Sequence, residues 1–184
     1  MNSNLNCIDA PPPPNEVEES HPSRPFAISV VTSINLPAPA ATVWEELMFY
    51  EQIEEPPPWL LRLLLPIPLR TEGRPRAVGD EIRCLYQGGD LIKRVTRMTR
   101  GWHYDFEVVT QSLALGGGIR LVSGSYTLSA LPNGGTRLAL ETLYTSPRRP
   151  RLLCRWIEEK ICHLFHGHIL SAMRDAVPPH PAKA

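Results

Sequence analysis

The chain has 184 residues, enough for one domain with a sizeable core but too few for two ordinary domains beside a long polar tail. Lysine plus arginine and aspartate plus glutamate each number 19, so no net charge attracts nucleic acid or an anionic membrane, and polynucleotide binding is not expected. The four cysteines have no CxxC spacing and no signal-like segment precedes them, which indicates reduced thiols in a cytoplasmic protein.

The N-terminal tail, residues 1–25, contains four consecutive prolines and the acidic stretch EVEES but almost no large apolar side chains. Such a composition cannot bury enough surface to offset the entropy of ordering, so the tail is predicted to be disordered. Residues 178–184 begin with two prolines and are predicted to form a disordered C-terminal tail. A single domain is therefore expected at residues 26–177.

The domain is predicted to open with a strand at residues 26–36, which are rich in β-branched side chains that alternate with others. Pro37 and Pro39 end this strand. A short amphipathic helix is predicted from about Ala40, because Val43 and its partners one turn apart share an apolar face.

A second short helix is predicted at residues 59–65, between two groups of prolines. Its apolar side chains do not keep to one face, so it is either buried or covers something apolar. The apolar stretch is also much shorter than the roughly 20 residues that span a bilayer. We expect Trp59, Leu60 and Leu64 to form part of a lid over a cavity, with transient membrane contact; a buried structural helix is the alternative.

From residue 80 onward the sequence changes to strands joined by tight turns that contain glycine. Strands are predicted at residues 81–87, 90–98, 103–111, 119–131 and 136–146. Consecutive hairpins of this kind form an antiparallel meander. A weaker strand signal near residues 67–70, together with the first strand, brings the predicted sheet to six or seven strands.

The chain closes with a long helix predicted at residues 150–177 and ended by the prolines that follow. At about 100° per residue, one of its faces is expected to look into the interior. That face contains Leu153, Ile157, Ile161, Leu164, His168 and Ala172. A helix with so much apolar surface cannot pack in isolation, and the concave face of the sheet is its expected partner.

This order of elements resembles the START-like superfamily, also called SRPBCC, which includes the birch pollen allergen type and polyketide cyclase or lipid-transport domains. The most specific local piece is INLPAPAATVWEELMFYEQI, which is similar to the family's opening strand, proline turn and helix with Val43 and Trp44. The resemblance covers residues 26–177. It implies an α+β helix-grip fold, in which a curved antiparallel sheet of six or seven strands wraps around the C-terminal helix. It also implies an apolar cavity for a lipid, sterol or polyketide-like ligand.

Tyr86, Tyr104, Tyr126 and Tyr144 lie on four different predicted strands, each in phase with apolar neighbours. Core packing explains them, but several hydroxyls pointing into one pocket would also give an oxygenated ligand its polar contacts. His168 is the other polar candidate, because it lies among apolar residues on the expected inner face of the last helix. It is either a hydrogen-bonded core histidine or a polar anchor for a ligand.

No metal site is predicted, because His163, His166 and His168 point in different directions around the helix. No cofactor is predicted either, since no glycine group precedes a helix with a phosphate-binding lysine. In the strand at residues 103–111, the alternation of side chains places His103, Asp105 and Glu107 on one face. These three residues are expected to face solvent. No paired carboxylates or other catalytic residues emerge from the sequence.

Four arginines cluster at the start of the last helix, where positive charge opposes the helix dipole. They are Arg148, Arg149, Arg151 and Arg155. They are interpreted as a solvated cap, or as a contact for lipid phosphates near the mouth of the pocket.

The function expected from these observations is binding, sensing or transport of a hydrophobic small molecule without catalysis. One alternative is a cyclase or dehydratase acting on a polyketide-like substrate, in which His168 or a tyrosine moves a proton. Another is a protein-interaction module whose proline-rich tail binds a partner. A sealed core would favour the interaction module, whereas a pocket with isolated ionisable groups would favour the enzyme.

Overall fold

The computed structural model describes residues 27–49, 59, 65–66 and 68–177. The two predicted tails, residues 1–25 and 178–184, lie outside the described residues, as do Leu60 and Leu64 of the predicted lid. Within the described ranges, no helix is long and apolar enough to cross a bilayer.

The described residues form seven strands and two helices. In chain order these are β1 (Ile28–Leu36), α1 (Ala40–Phe49), β2 (Pro68–Glu72), β3 (Glu81–Tyr86), β4 (Gly89–Thr99), β5 (His103–Gln111), β6 (Arg120–Ala130), β7 (Thr136–Thr145) and α2 (Arg151–Ala176). The meander, the first strand, the first helix and the long last helix are confirmed, with bounds that differ from the prediction by a few residues. The weak signal near residues 67–70 is strand β2.

The strands make one antiparallel sheet in the order β1-β7-β6-β5-β4-β3-β2. Neighbours from β2 to β7 are consecutive hairpins, whereas β1 pairs with β7, so that Ile28 lies opposite Tyr144 and Leu36 opposite Thr136. The register shifts twice in the pairing of β4 with β5 and once in that of β6 with β7. Such bulges bend and twist a strand, which curves the sheet.

The core lies between the concave face of the sheet and the two helices. Leu36, Ile82, Leu128, Leu138 and Leu170 are fully buried there. Burying each such side chain contributes about 1.5–3 kcal/mol of transfer free energy. Helix α2 packs mainly against β1 and β7, and it also contacts α1, which in turn contacts β6. This is the α+β helix-grip architecture that the sequence predicts.

The predicted inner face of α2 is wrong. Leu153 is 58% exposed, and Ile157 and Leu164 are exposed as well. The residues that α2 buries are Glu158, His166, Ile169, Leu170 and Met173. Apolar periodicity identifies the wrong face because two ionisable side chains lie on the buried stripe of the helix. His166 is hydrogen-bonded to the sheet, and one carboxylate oxygen of Glu158 accepts a hydrogen bond from the β7–α2 connection.

Candidate functional site

Part of the concave face of the sheet carries apolar side chains that remain only partly buried. They come from β3, β4, β5 and β6, on the side of the sheet away from the strands that α2 covers. These side chains are Tyr86, Met98, Phe106, Val108, Leu121 and Tyr126, and all of them pack against the core. We call this set the concave apolar surface, and it is the candidate functional site.

An aromatic cluster forms the centre of the concave apolar surface. The Tyr104 ring lies 5.9 Å from the Phe106 ring and 6.1 Å from the Tyr126 ring, both in tilted arrangements. Gly124 makes room for this cluster, because a Cβ atom at that position would lie only 2.5 Å from Cζ of Phe106. Glycine at position 124 of β6 therefore leaves the space that the Phe106 ring of β5 occupies.

Lys93 adds a cation to the aromatic cluster. Its Nζ lies 4.8 Å from the centre of the Phe106 ring, a distance typical of a cation–π contact. Sequence reasoning missed this residue, although Leu91, Lys93 and Val95 alternate along β4 and both flanking residues are buried. The alternation of this lysine with two core residues was the sequence signal that could have placed it on the concave face.

His166 joins α2 to the sheet from a fully buried position. Its Nε2 lies 2.8 Å from Oγ1 of Thr142, and its Nδ1 lies 3.0 Å from Oγ1 of Thr32. Burial, with a smaller contribution from His163, lowers the pKa of His166 to about 4, so the ring is neutral at physiological pH. Because a neutral imidazole has one donor and one acceptor nitrogen, both are used within the protein.

Cys162 lies beside this histidine, with Sγ 3.5 Å from Nε2 of His166. Burial raises the pKa of the Cys162 thiol to about 12, which keeps it protonated. A thiol in this state is a poor nucleophile. The two residues therefore form a structural bridge between helix and sheet, which sequence reasoning did not identify.

A second buried polar group lies at the N-terminal end of α2. Ser146 Oγ donates a hydrogen bond of 2.6 Å to Oε1 of Glu158, and Arg148 Nε lies 3.9 Å from the same oxygen. The Tyr144 hydroxyl and Oε2 of Glu158 are buried without a hydrogen-bond partner among the described residues. Burial first, and then the charge of Glu158, raises the pKa of Tyr144.

The four predicted tyrosines do not share one place. Tyr104 and Tyr126 are neighbours in the aromatic cluster. Tyr86 lies toward the other end of the sheet, because its partner Gly89 is nine residues along β4 from Met98, the partner of Tyr104. Tyr144 lies toward that same end, opposite Leu121 on β6, and its hydroxyl belongs to the polar group near Glu158.

Of the other four predicted site residues, the structure describes His168 and Trp59. His168 is partly buried, and its Nε2 is shielded from water without a hydrogen-bond partner in the described part of the chain. Trp59 is 77% exposed. Leu60 and Leu64 lie outside the described residues, so the lid stays a prediction.

Asp105 differs from its predicted environment. It was expected to face solvent but is only 8% exposed, with Oδ1 2.7 Å from Nε2 of His103. The His103 Nδ1 lies 3.1 Å from Oγ1 of Thr127 on the neighbouring strand. The His103 side chain, two residues earlier on the same face of β5, thus covers a residue that alternation alone assigns to solvent.

No three His, Cys, Asp or Glu side chains of the described ranges are grouped as metal ligands.

No family model matches the chain, and no curated protein matches it significantly. Solved structures do resemble it. A START superfamily protein from Mycobacterium smegmatis has a TM-score of 0.55 at 12% identity, covering 81% of this chain and 96% of its own. The Zhui aromatase/cyclase from Streptomyces sp. R1128 has a TM-score of 0.54 at 15% identity, covering 83% and 96%. Protein MLL2253 from Mesorhizobium loti has a TM-score of 0.56 at 18% identity, covering 80% and 95%.

These identities are low, and what the likeness shows is the architecture. The strand order, the position of α2 against β1 and β7 and the structural neighbours agree with one another. The chain therefore has the helix-grip fold of the START-like, or SRPBCC, superfamily.

Proposed function

We propose that the protein binds a hydrophobic small molecule, a lipid, sterol or polyketide-like compound, on the concave apolar surface. The observation that carries this proposal is the incomplete burial of side chains that face the inside of the sheet. A ligand that removes this apolar area from water gains roughly 25 cal/mol of free energy per Å² that it covers. Apolar side chains in a concave setting with a few polar groups are typical of small-molecule sites.

Lys93 and the hydroxyl of Tyr126 are the polar groups that would orient such a ligand. Lys93 is part of the aromatic cluster, and Tyr126 is partly accessible on the neighbouring surface. A carbonyl, hydroxyl or carboxylate on an otherwise apolar molecule would complement them. The aromatase/cyclase among the structural neighbours supports polyketide-like compounds as one ligand class to test.

Binding or transport without catalysis is the function we propose. His166 is neutral with both ring nitrogens hydrogen-bonded, and Cys162 is protonated, so neither offers acid–base or nucleophilic chemistry near neutral pH. Cys84, Cys154 and Cys162 are all free, which is typical of proteins in a reducing compartment. We propose that it acts in the cytoplasm.

The test is to fill the site on the concave face of the sheet and to make the same change on the opposite face. Val108 belongs to the concave apolar surface, whereas Val31 of β1 is 54% exposed and alternates with the buried Val30, so it lies on the opposite face of the sheet. Val108→Trp should weaken binding of a fluorescent apolar probe such as anilinonaphthalene sulfonate about tenfold or more, because the indole occupies the site. Val31→Trp should leave probe affinity unchanged.

Circular dichroism and thermal melting of both variants show whether each remains folded. Native mass spectrometry with organic extraction then identifies any compound that copurifies with the unaltered protein. The proposal is wrong if the folded protein neither binds the probe nor retains an apolar compound, or if the two tryptophan variants bind the probe equally.

A further inference from the structure

The first turns of α2 expose large apolar side chains that neither the core nor the concave apolar surface uses. Leu152 is 86% exposed, and the others in this segment are Leu153, Trp156 and Ile157. They lie on the side of the helix that points away from the sheet, whereas Glu158 and His166 face the sheet. Single exposed apolar residues are ordinary, but four within six consecutive positions of a helix form a patch.

Positive charge surrounds this patch. Arg148, Arg149, Arg151 and Arg155 lie in the same segment, and the first acidic residues after them are Glu158 and Glu159. Glu158 is buried beside Arg148, and Glu159 forms an ion pair of 2.7 Å with Arg155, so two acidic residues oppose four arginines. The excess is local, because the chain as a whole has no net charge. The N-terminal end of the helix dipole adds to the same positive potential.

We propose that these residues, which we call the basic apolar face of α2, dock the protein on a bilayer that contains anionic lipids. Apolar side chains flanked by arginines match an interface of acyl chains beneath negative headgroups. A tryptophan such as Trp156 suits the same depth, because its ring is apolar and its N–H is polar.

A second copy of the chain fits this face less well than a membrane does. A twofold interface brings the same patch of both copies together, so the arginine rim of one copy would meet that of the other. Like charges at such a contact repel, whereas anionic headgroups neutralise them. The docking is independent of the proposed ligand, since the basic apolar face lies on the outer side of α2 and the concave apolar surface lies on the sheet.

The experiment is vesicle cosedimentation of the full chain without added ligand. Vesicles of phosphatidylcholine alone are compared with vesicles of phosphatidylcholine and phosphatidylglycerol. The protein should sediment with the anionic vesicles at least about tenfold more strongly, and high salt should remove most of the difference. Tryptophan fluorescence should shift to shorter wavelength on binding, and Trp156→Phe should reduce that shift.

Two double variants separate the apolar and the charged contributions. Leu152→Ser with Trp156→Ser should lower anionic-vesicle binding about tenfold or more, because the inserted surface is lost. Arg149→Gln with Arg151→Gln should lower it by a similar factor and should weaken its salt dependence. All four positions are exposed, so the melting temperature should change little.

The controls change exposed residues of the same two kinds elsewhere in the protein. Val31→Ser removes an apolar side chain from β1 that is 54% exposed, and Arg174→Gln removes an arginine at the other end of α2. Neither should alter vesicle binding. Equal binding to both kinds of vesicle, or no binding to either, would overturn the proposal. So would a concentration-dependent dimer that Leu153→Ser abolishes, because it would assign the face to a second copy.

Discussion

His166 illustrates how a single polar residue holds this fold together. It is fully buried between α2, β1 and β7, and the hydroxyls of Thr32 and Thr142 satisfy its two ring nitrogens. A buried polar group without partners costs about 1–3 kcal/mol, so all three residues depend on one another. The bridge fixes the rotation of the helix about its own axis more specifically than apolar contacts can.

This bridge predicts a loss of stability in mild acid. The pKa of His166 is about 4 in the folded chain and near 6.5 when the ring is exposed, so the unfolded state binds more protons between these values. The contribution of His166 to stability is therefore fully present above the pKa that the ring has in the unfolded chain. It is lost as the pH falls below that value. From about pH 7 to about pH 5, this residue should remove about 2 kcal/mol of the free energy of unfolding.

Urea denaturation at the two pH values, with the unaltered chain and His166→Gln, measures this contribution. The variant should be less stable at neutral pH, but it should lose less stability on acidification. Arg174→Gln is the control, because Arg174 is exposed on the same helix and keeps its charge at both pH values. An unchanged pH dependence in the His166 variant would show that the ring does not titrate as we describe.

At the scale of elements, α2 has two faces with opposite roles. Leu170 is fully buried against the core, whereas Leu153 is 58% exposed. Leu170→Ala should lower the free energy of unfolding by about 2–5 kcal/mol, because it removes buried methyl groups and leaves a cavity. Leu153→Ala should change the free energy of unfolding by less than about 0.5 kcal/mol. Comparable losses in chemical denaturation would mean that the burial pattern of α2 is incorrect.

The elements that the sequence predicts well are those with short-range signals. Alternating residues between glycine turns predict β3 to β7, since each hairpin needs only its own strands and its turn. The face of α2 fails because its buried stripe includes Glu158 and His166, which apolar periodicity reads as a polar side.

Strand faces within the site are harder to predict because a bulge reverses alternation. Val95 faces the core, and simple alternation would place Arg97 on the same side. The register shift between Val95 and Arg97 instead brings Met98 opposite Tyr104 on the concave face. One sequence gives no signal for a bulge here, so the composition of the concave apolar surface required the structure.

At the scale of the whole molecule, the sheet is protected unevenly. Strand β7 lies between β1 and β6 and under α2, whereas β2 is a short strand at the opposite edge. Backbone amides of β6 and β7 should therefore exchange most slowly with solvent deuterium, and those of β2 fastest among the strands. Mass spectrometry of peptic fragments tests this order, and equal protection of β2 and β7 would contradict it.

The pairing of β1 with β7 also determines when the protein can fold during its synthesis. Ser29 and Glu141, which are hydrogen-bonded across these strands, are separated by 112 positions. The ribosome therefore releases β1 long before its partner exists, and β1 presents unpaired edge groups throughout that time. Helix α2 follows later still and covers β1 only when nearly the whole chain has emerged. A nascent chain arrested after β6 should thus be a better client for chaperones than one arrested after α2.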